Sequence, residues 1–192
     1  MFFFTLWEFK IVLLNSEICN YGKIMPNFVA LNIDEKIITN NDIIGKNGTL
    51  IFFICNHCPY VKAVISKLVE TSNILKNHGI NSVAIMPNDA TKYPEDSFEK
   101  MKKFSYDNSF CFPYLYDEKQ SIAKSFNAVC TPDFFGFNKN KELQYRGRIG
   151  LTHKLKFVDE KNDLLDAMIK ISTTGKGPSK QYPSCGCSIK WK

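Results

Sequence analysis

The sequence predicts an α/β fold with a mixed central sheet. Three observations carry that expectation. The run Leu50–Ile54 is apolar throughout, as in a strand buried on both faces. Directly after it, Val61, Val64, Ile65, Leu68 and Leu75 recur at helical spacing. Further strand-like and helical segments then alternate, before a β-hairpin and a last helix.

The elements follow in order. Residues 1–14 read as an appendage, and 27–33 alternate like a strand. Asn47-Gly48 marks a turn into a strand over 49–54. Pro59 suits the first position of a helix, and Gly79 suits a residue just past its end, which predicts a helix over 59–77. A strand over 81–86, a loop over 88–94 and a helix marked by Phe98, Met101 and Phe104 come next. A short strand over 112–116 and a helix over 121–126 follow. Segments 129–137 and 143–149, joined by the turn Asn138–Asn140, predict the hairpin. Leu164, Leu165, Met168 and Ile169 mark the last helix. The first crossover is expected to be parallel and right-handed, and the hairpin antiparallel. Residues 1–21 divide off as an extension, 22–172 as the domain, and 173–192 as a cysteine-containing tail.

The chain has 192 residues, 44% hydrophobic and 23% charged, which is enough for one domain with a full core. Its net charge of +6 comes from scattered lysines, with no basic block interleaved with aromatics, so no nucleic-acid partner is expected. Seven cysteines, an odd number, argue against a disulfide framework and for a reducing, cytoplasmic setting. The apolar start Met1–Leu14 lacks a basic leader and a cleavage site, and Glu8 and Lys10 interrupt it. It is also too short to span a bilayer, so no stable membrane association is expected.

The chemistry concentrates at Cys55-Asn56-His57-Cys58-Pro59-Tyr60. A strand delivers these residues to a helix start, where unpaired backbone N–H groups favour a thiolate. Pro59 at the first helical position makes Cys58 the N-cap. A protonated His57 next door would favour its thiolate further. The bland reading is a pair of buried small hydrophobes, and the spacing also suits half of a zinc site.

Several ordered motifs resemble the peroxiredoxin-like proteins of the redoxin or AhpC/TSA group, a branch of the thioredoxin fold. They are Cys55–Val61, Tyr93–Ser97, Pro113–Glu118, Val129–Phe135, Tyr145–Ile149 and Gly186–Trp191. The resemblance covers Gly22 to the end of the chain. It implies a thioredoxin-like fold and thiol chemistry without a cofactor. It makes Thr131-Pro132 the loop that holds a cis-proline beside the active cysteine, with Thr131, Pro132 and His57 meeting the substrate. Two departures stand out. Aligning helix starts puts Val61 where thioredoxins place their second cysteine. Cys55 and Ile51 stand where peroxiredoxins have threonine and proline, and the only arginines are Arg146 and Arg148. Efficient peroxidase activity is therefore not expected.

The expected function is thiol–disulfide exchange, with Cys58 attacking a disulfide of a protein or small molecule and an external thiol as reductant. The candidate partners for Cys58 rank as Cys55, then Cys130, then Cys187 or Cys185 on the tail. Cys19 and Cys111 read as structural. The alternatives are a non-catalytic binding or sensing module of the same fold, and a zinc or copper(I) protein built on Cys55, His57, Cys58, Cys185 and Cys187.

Overall fold

The computed structural model describes residues 12–17, 19–153, 155–158 and 161–192. The expectations for residues 1–11 lie outside the described residues.

In chain order the elements are β1 (Leu13–Asn15), β2 (Val29–Asn32), β3 (Ile37–Thr39), β4 (Gly48–Phe53), α1 (Pro59–Asn77) and β5 (Ile80–Met86). A single 3₁₀ turn (Pro94–Asp96) precedes α2 (Phe98–Asp107), β6 (Tyr114–Tyr116), α3 (Ser121–Phe126), β7 (Cys130–Thr131) and β8 (Asp133–Asn138). β9 (Leu143–Gly147), β10 (Thr152–His153), β11 (Lys156–Phe157), α4 (Asp163–Thr174) and β12 (Cys185–Ser188) complete the chain.

The main sheet has seven strands in the order β3-β2-β6-β5-β4-β8-β9. β4 runs parallel to β5, and β5 to β6, while β8 lies antiparallel to β4 and β9 to β8. This is a central mixed sheet flanked by helices, the thioredoxin-like architecture. β4 is fully buried because its alternate side chains serve two cores. Leu50, Phe52 and Ile54 pack with α1, α2 and α4, and Ile51 and Phe53 pack with α3 on the opposite face. Full burial of a side chain such as Phe52 contributes roughly 2–3 kcal/mol.

Helix α1 runs from Pro59 to Asn77 with Cys58 as N-cap. It ends at Gly79, whose φ of +71 needs glycine. Helix α4 is capped by Asn162, which accepts from Leu165 N at 2.9 Å and donates to Thr71 Oγ1 on α1 at 2.7 Å. The second bond ties the start of α4 to the C-terminal half of α1.

The two ends of the described chain are less peripheral than the sequence implies. β1, β12 and β7 form a second, three-stranded antiparallel sheet, with β12 in the middle. The strands are short, and Cys-Gly-Cys-Ser carries no apolar alternation, so neither β1 nor β12 has a sequence signal. Trp191 is 40% exposed and lies under the Lys124 ammonium, so the tail does not rest on its burial. Backbone bonds from Lys190 N to Asn88 Oδ1 and from Lys192 N to Gln120 Oε1 hold that end instead.

Candidate active site

Three segments converge on Cys58: the start of α1, the loop at Thr131-Pro132 and β12. The Thr131-Pro132 peptide is cis. Cys58 Sγ lies 3.2 Å from the Thr131 carbonyl oxygen and 3.0 Å from Cys187 Sγ. Cys55 Sγ is 3.3 Å from Thr131 Oγ1. Cys58 is fully buried, Cys187 is 4% exposed, and Thr131 has no exposed surface.

Cys58 has two ways to satisfy its sulfur. As a thiol it donates to the Thr131 carbonyl. As a thiolate it accepts from the thiols of Cys187 and Cys55, with the N–H groups of Val61 and Cys187 adding to them. These donors outweigh the cost of burial and hold the Cys58 pKa far below the usual thiol range. The Cys58 charge, with burial second, pushes the Cys187 thiol up. Burial pushes Cys55 well up, and the Cys58 charge adds to that. One low and two high thiols form a set with a single anionic member.

His57 sits on the solvent side of this set. Its Nδ1 is 2.7 Å from Asp96 Oδ2, and its ring stacks on Tyr93 with centroids 5.8 Å apart. The Asp96 carboxylate raises the His57 pKa against the opposing effect of burial. Asp96 is fully buried and is held by neighbours as well. Asn56 N donates to its Oδ1 at 2.8 Å and Asn88 Nδ2 to its Oδ2 at 2.8 Å. Asn56 in turn accepts from the Tyr114 hydroxyl at 3.0 Å. From the sequence, Glu95 and Asp96 read as loop or cap residues and not as a paired-carboxylate site. The available signal was the position of Asp96 inside Tyr93–Ser97, a segment that carries the family resemblance.

The remaining candidates are distributed as follows. Cys130 is buried, with Sγ 3.6 Å from the Pro132 carbonyl oxygen, and burial followed by the Asp133 charge raises its pKa. Cys185 is exposed and lines a cavity of about 210 Å³ with Tyr60, Pro132, Phe134 and Arg148. Burial pushes the Cys19 thiol up to about 11. Cys111, flanked by Phe110 and Phe112, is nonetheless exposed, with its sulfur 3.8 Å from the Val69 carbonyl oxygen. Among the described residues, Cys55, His57 and Asp96 bring ligand-type atoms within 4.8 Å of one another. Cys185 and Cys187 do not belong to that group.

Both arginines are held in ion pairs. Arg146 is buried between Glu17 (2.9 Å) and Asp133 (3.2 Å). Arg148 pairs with Asp163 at 2.8 Å.

A helix-start cysteine facing a cis-proline loop, on a mixed sheet of this order, defines a redoxin-type protein of the thioredoxin fold. The AhpC/TSA family model matches residues 21–146, and the chain belongs to that family. The crystal structure of an uncharacterized conserved protein from Geobacillus kaustophilus is 40% identical, covers 95% of this chain and 97% of its own, and superposes with a TM-score of 0.89. A hypothetical protein from Sinorhizobium meliloti 1021 is 31% identical over 93% of this chain and 98% of its own, with a TM-score of 0.86. The thioredoxin domain of a thiol-disulfide oxidoreductase from Bacteroides vulgatus shares the fold at 16% identity, with a TM-score of 0.57 over 74% of this chain and 94% of that one. No curated protein matches the sequence. No helix among the described residues is long and apolar enough to cross a membrane.

Proposed function

We propose that the chain is a thiol–disulfide oxidoreductase in which Cys58 is the attacking thiolate and Cys187 the resolving thiol. The observation that carries this reading is the 3.0 Å approach of the two sulfurs beside the cis Thr131-Pro132 peptide. The sulfurs are farther apart than a covalent pair, at about 2.05 Å, and close enough for exchange with little backbone motion. Membership of the AhpC/TSA family supports thiol redox chemistry in general.

Cys58 thiolate attacks one sulfur of a substrate disulfide, a mixed disulfide forms, and the other sulfur leaves as a thiolate. Cys187 then loses its proton and attacks Cys58 Sγ, which releases the substrate as a thiol. Two equivalents of an external thiol, low-molecular-weight or protein, reduce the Cys58–Cys187 disulfide. Such reductants are kept reduced in the cytoplasm, where this reading puts the protein. We take Cys187 over Cys55 and Cys130. Cys187 Sγ has the 3.0 Å approach to Cys58 Sγ, whereas Cys55 Sγ is engaged with Thr131 Oγ1 and the Cys130 sulfur contacts the Pro132 carbonyl. Peroxide cleavage is disfavoured because both arginines are already paired.

The test is turnover of a chromogenic disulfide with a dithiol. Cys58→Ser abolishes it, and in a single turnover with no dithiol present Cys187→Ser releases one equivalent of thiol and keeps the other half of the substrate bound to Cys58. Undiminished turnover in Cys58→Ser would sink the reading.

A second reading has one observation behind it, the clustering of Cys55, His57 and Asp96. These atoms would supply sulfur, nitrogen and oxygen to a zinc ion. Stoichiometric zinc in reduced protein, lost in Cys55→Ala, would favour it over the oxidoreductase.

A further inference from the structure

β12 fills the strand position beside the cis-proline loop. Cys187 pairs with Thr131 and Ser188 with Cys130, and Ile189 N donates to Val129 O at 3.0 Å. On its other edge, Cys187 pairs with Leu13, Gly186 with Leu14 and Cys185 with Asn15. While β12 sits there, Cys58 has no exposed surface and Cys187 Sγ occupies the space in front of its sulfur. A disulfide from outside cannot reach Cys58 in line until the strand lifts.

Gly186 sets how close the strand comes. A Cβ there would lie 2.2 Å from Thr131 O, 2.6 Å from Thr131 C and 3.0 Å from Pro132 N. All three are backbone atoms, which cannot swing aside as a side chain can. Only glycine fits directly before the cysteine that faces Cys58.

The strand is also anchored beyond both of its ends. Ser184 N donates to Ser16 Oγ at 2.9 Å, and Ser184 Oγ to Gly147 O at 2.9 Å. Lys190 N donates to Asn88 Oδ1 at 2.9 Å, and Lys190 O accepts from Gln120 Nε2 at 2.8 Å. An extended strand has no slack between two fixed flanks, so residues 185–188 lift only when the Ser184 or the Lys190 side lets go.

We propose that Cys185–Ser188 is a tethered occupant of a groove along Cys130–Thr131, and that the groove takes an extended polypeptide segment with glycine directly before a disulfide-bonded cysteine. This rests on the proposed oxidoreductase function and names its substrate class. The incoming segment replaces β12, with its cysteine opposite Thr131. Cys58 thiolate attacks that cysteine's sulfur. A Cys58–segment bond forms, the segment's own S–S bond breaks, and the departing sulfur leaves as a thiolate that takes a proton from water. The return of β12 expels the segment and carries Cys187 to Cys58 Sγ. The Cys187 proton goes to solvent, the Cys58–Cys187 bond forms, and the segment leaves as a thiolate that water protonates. Two electrons pass from the two cysteines to the segment's disulfide, so strand return and resolution are one event.

The test follows iodoacetamide labelling of Cys58 in the reduced, full-length protein, read by mass spectrometry. The variant Gly186→Ala unseats β12 and is expected to raise the rate by about tenfold or more. A peptide with the sequence of residues 183–191, with serine for both cysteines, is then expected to slow the variant back to within about twofold of the natural protein. The same peptide with alanine at the glycine position is expected to give no protection. Ser16→Ala loosens one anchor without touching the groove, and is expected to give a smaller acceleration that only the glycine peptide reverses. Unchanged labelling in both variants overturns the proposal, as does equal protection by the two peptides or protection by neither. Labelling needs no turnover, so an inactive Cys58→Ser with no peptide selectivity would defeat this inference and leave the oxidoreductase function standing. Peptide selectivity together with undiminished turnover in Cys58→Ser would do the reverse.

Discussion

Cys58 and Cys187 are 129 positions apart in the sequence and their sulfurs are 3.0 Å apart in the fold. Each sets the ionisation of the other. Cys187 keeps its proton because Cys58 holds the charge, and Cys58 holds the charge chiefly because Cys187 offers that proton.

Removing the donor therefore changes the acid. In the natural protein, Cys58 is expected to contribute ultraviolet thiolate absorbance at mildly acidic pH. Cys187→Ala moves the midpoint of that absorbance upward, toward the ordinary thiol value of about 8.5. Cys55→Ala does the same to a smaller extent. A midpoint unaffected by Cys187→Ala would mean that the helix start, and not the tail, activates Cys58.

Mapping the oxidised protein separates the candidate partners. Mild oxidation is expected to join Cys58 to Cys187. Cys130→Ser is expected to leave dithiol turnover within about twofold of the natural protein. Cys55→Ala leaves the same disulfide in place but slows its formation, because Cys58 loses a donor. A Cys55–Cys58 disulfide as the main product would reverse the assignment.

Asp96 carries a pH signature through His57. The pair raises the folded His57 pKa above its unfolded value of about 6.5. Its contribution is thus fully present below about 6.5 and is lost as pH rises through the raised value. Asp96→Asn is expected to destabilise the protein by about 1–3 kcal/mol at pH 5–6. The cost shrinks in alkaline solution, where only the bonds to Asn56 N and Asn88 remain at stake. Denaturant unfolding at both pH values checks this, and a cost that grows with pH would contradict it.

Asp133 acts in the same sense in a lower pH window. Burial, only partly offset by Arg146, lifts its pKa to about 7. The folded state then holds a proton that the unfolded chain, with a value of about 3.9, has released. Stability from this group falls as pH rises between about 4 and 7. Asp133→Asn is expected to flatten that part of the stability profile, measured against the natural protein. An unchanged slope would show that Arg146 keeps the carboxylate ionised throughout.

The architecture was legible where local pattern and burial agree. Pro59 and Gly79 bracket α1, the apolar run of β4 announces a strand buried on both faces, and Cys58 falls at the N-cap where Pro59 puts it. What was not legible depends on distant partners. Cys185–Ser188 becomes a strand only because β1 and β7 flank it. Asp96 reads as a loop or cap residue until the chain folds His57, Asn56 and Asn88 around it. The ranking of Cys55 ahead of the tail rested on closeness in sequence, which says nothing about a strand returning from the far end of the chain.

The middle position of β12 also bears on when this protein becomes complete. Its pairing of Leu13 with Cys187 is among the longest-range contacts of the described residues. Contacts of such separation cost the most chain entropy to close and tend to form late. On the ribosome, β12 cannot dock before Ser188 has emerged, although β4, α1 and the cis-proline loop are made long before. A nascent chain thus passes through a stage in which Cys58 is formed but uncovered, and the docking of β12 closes it off.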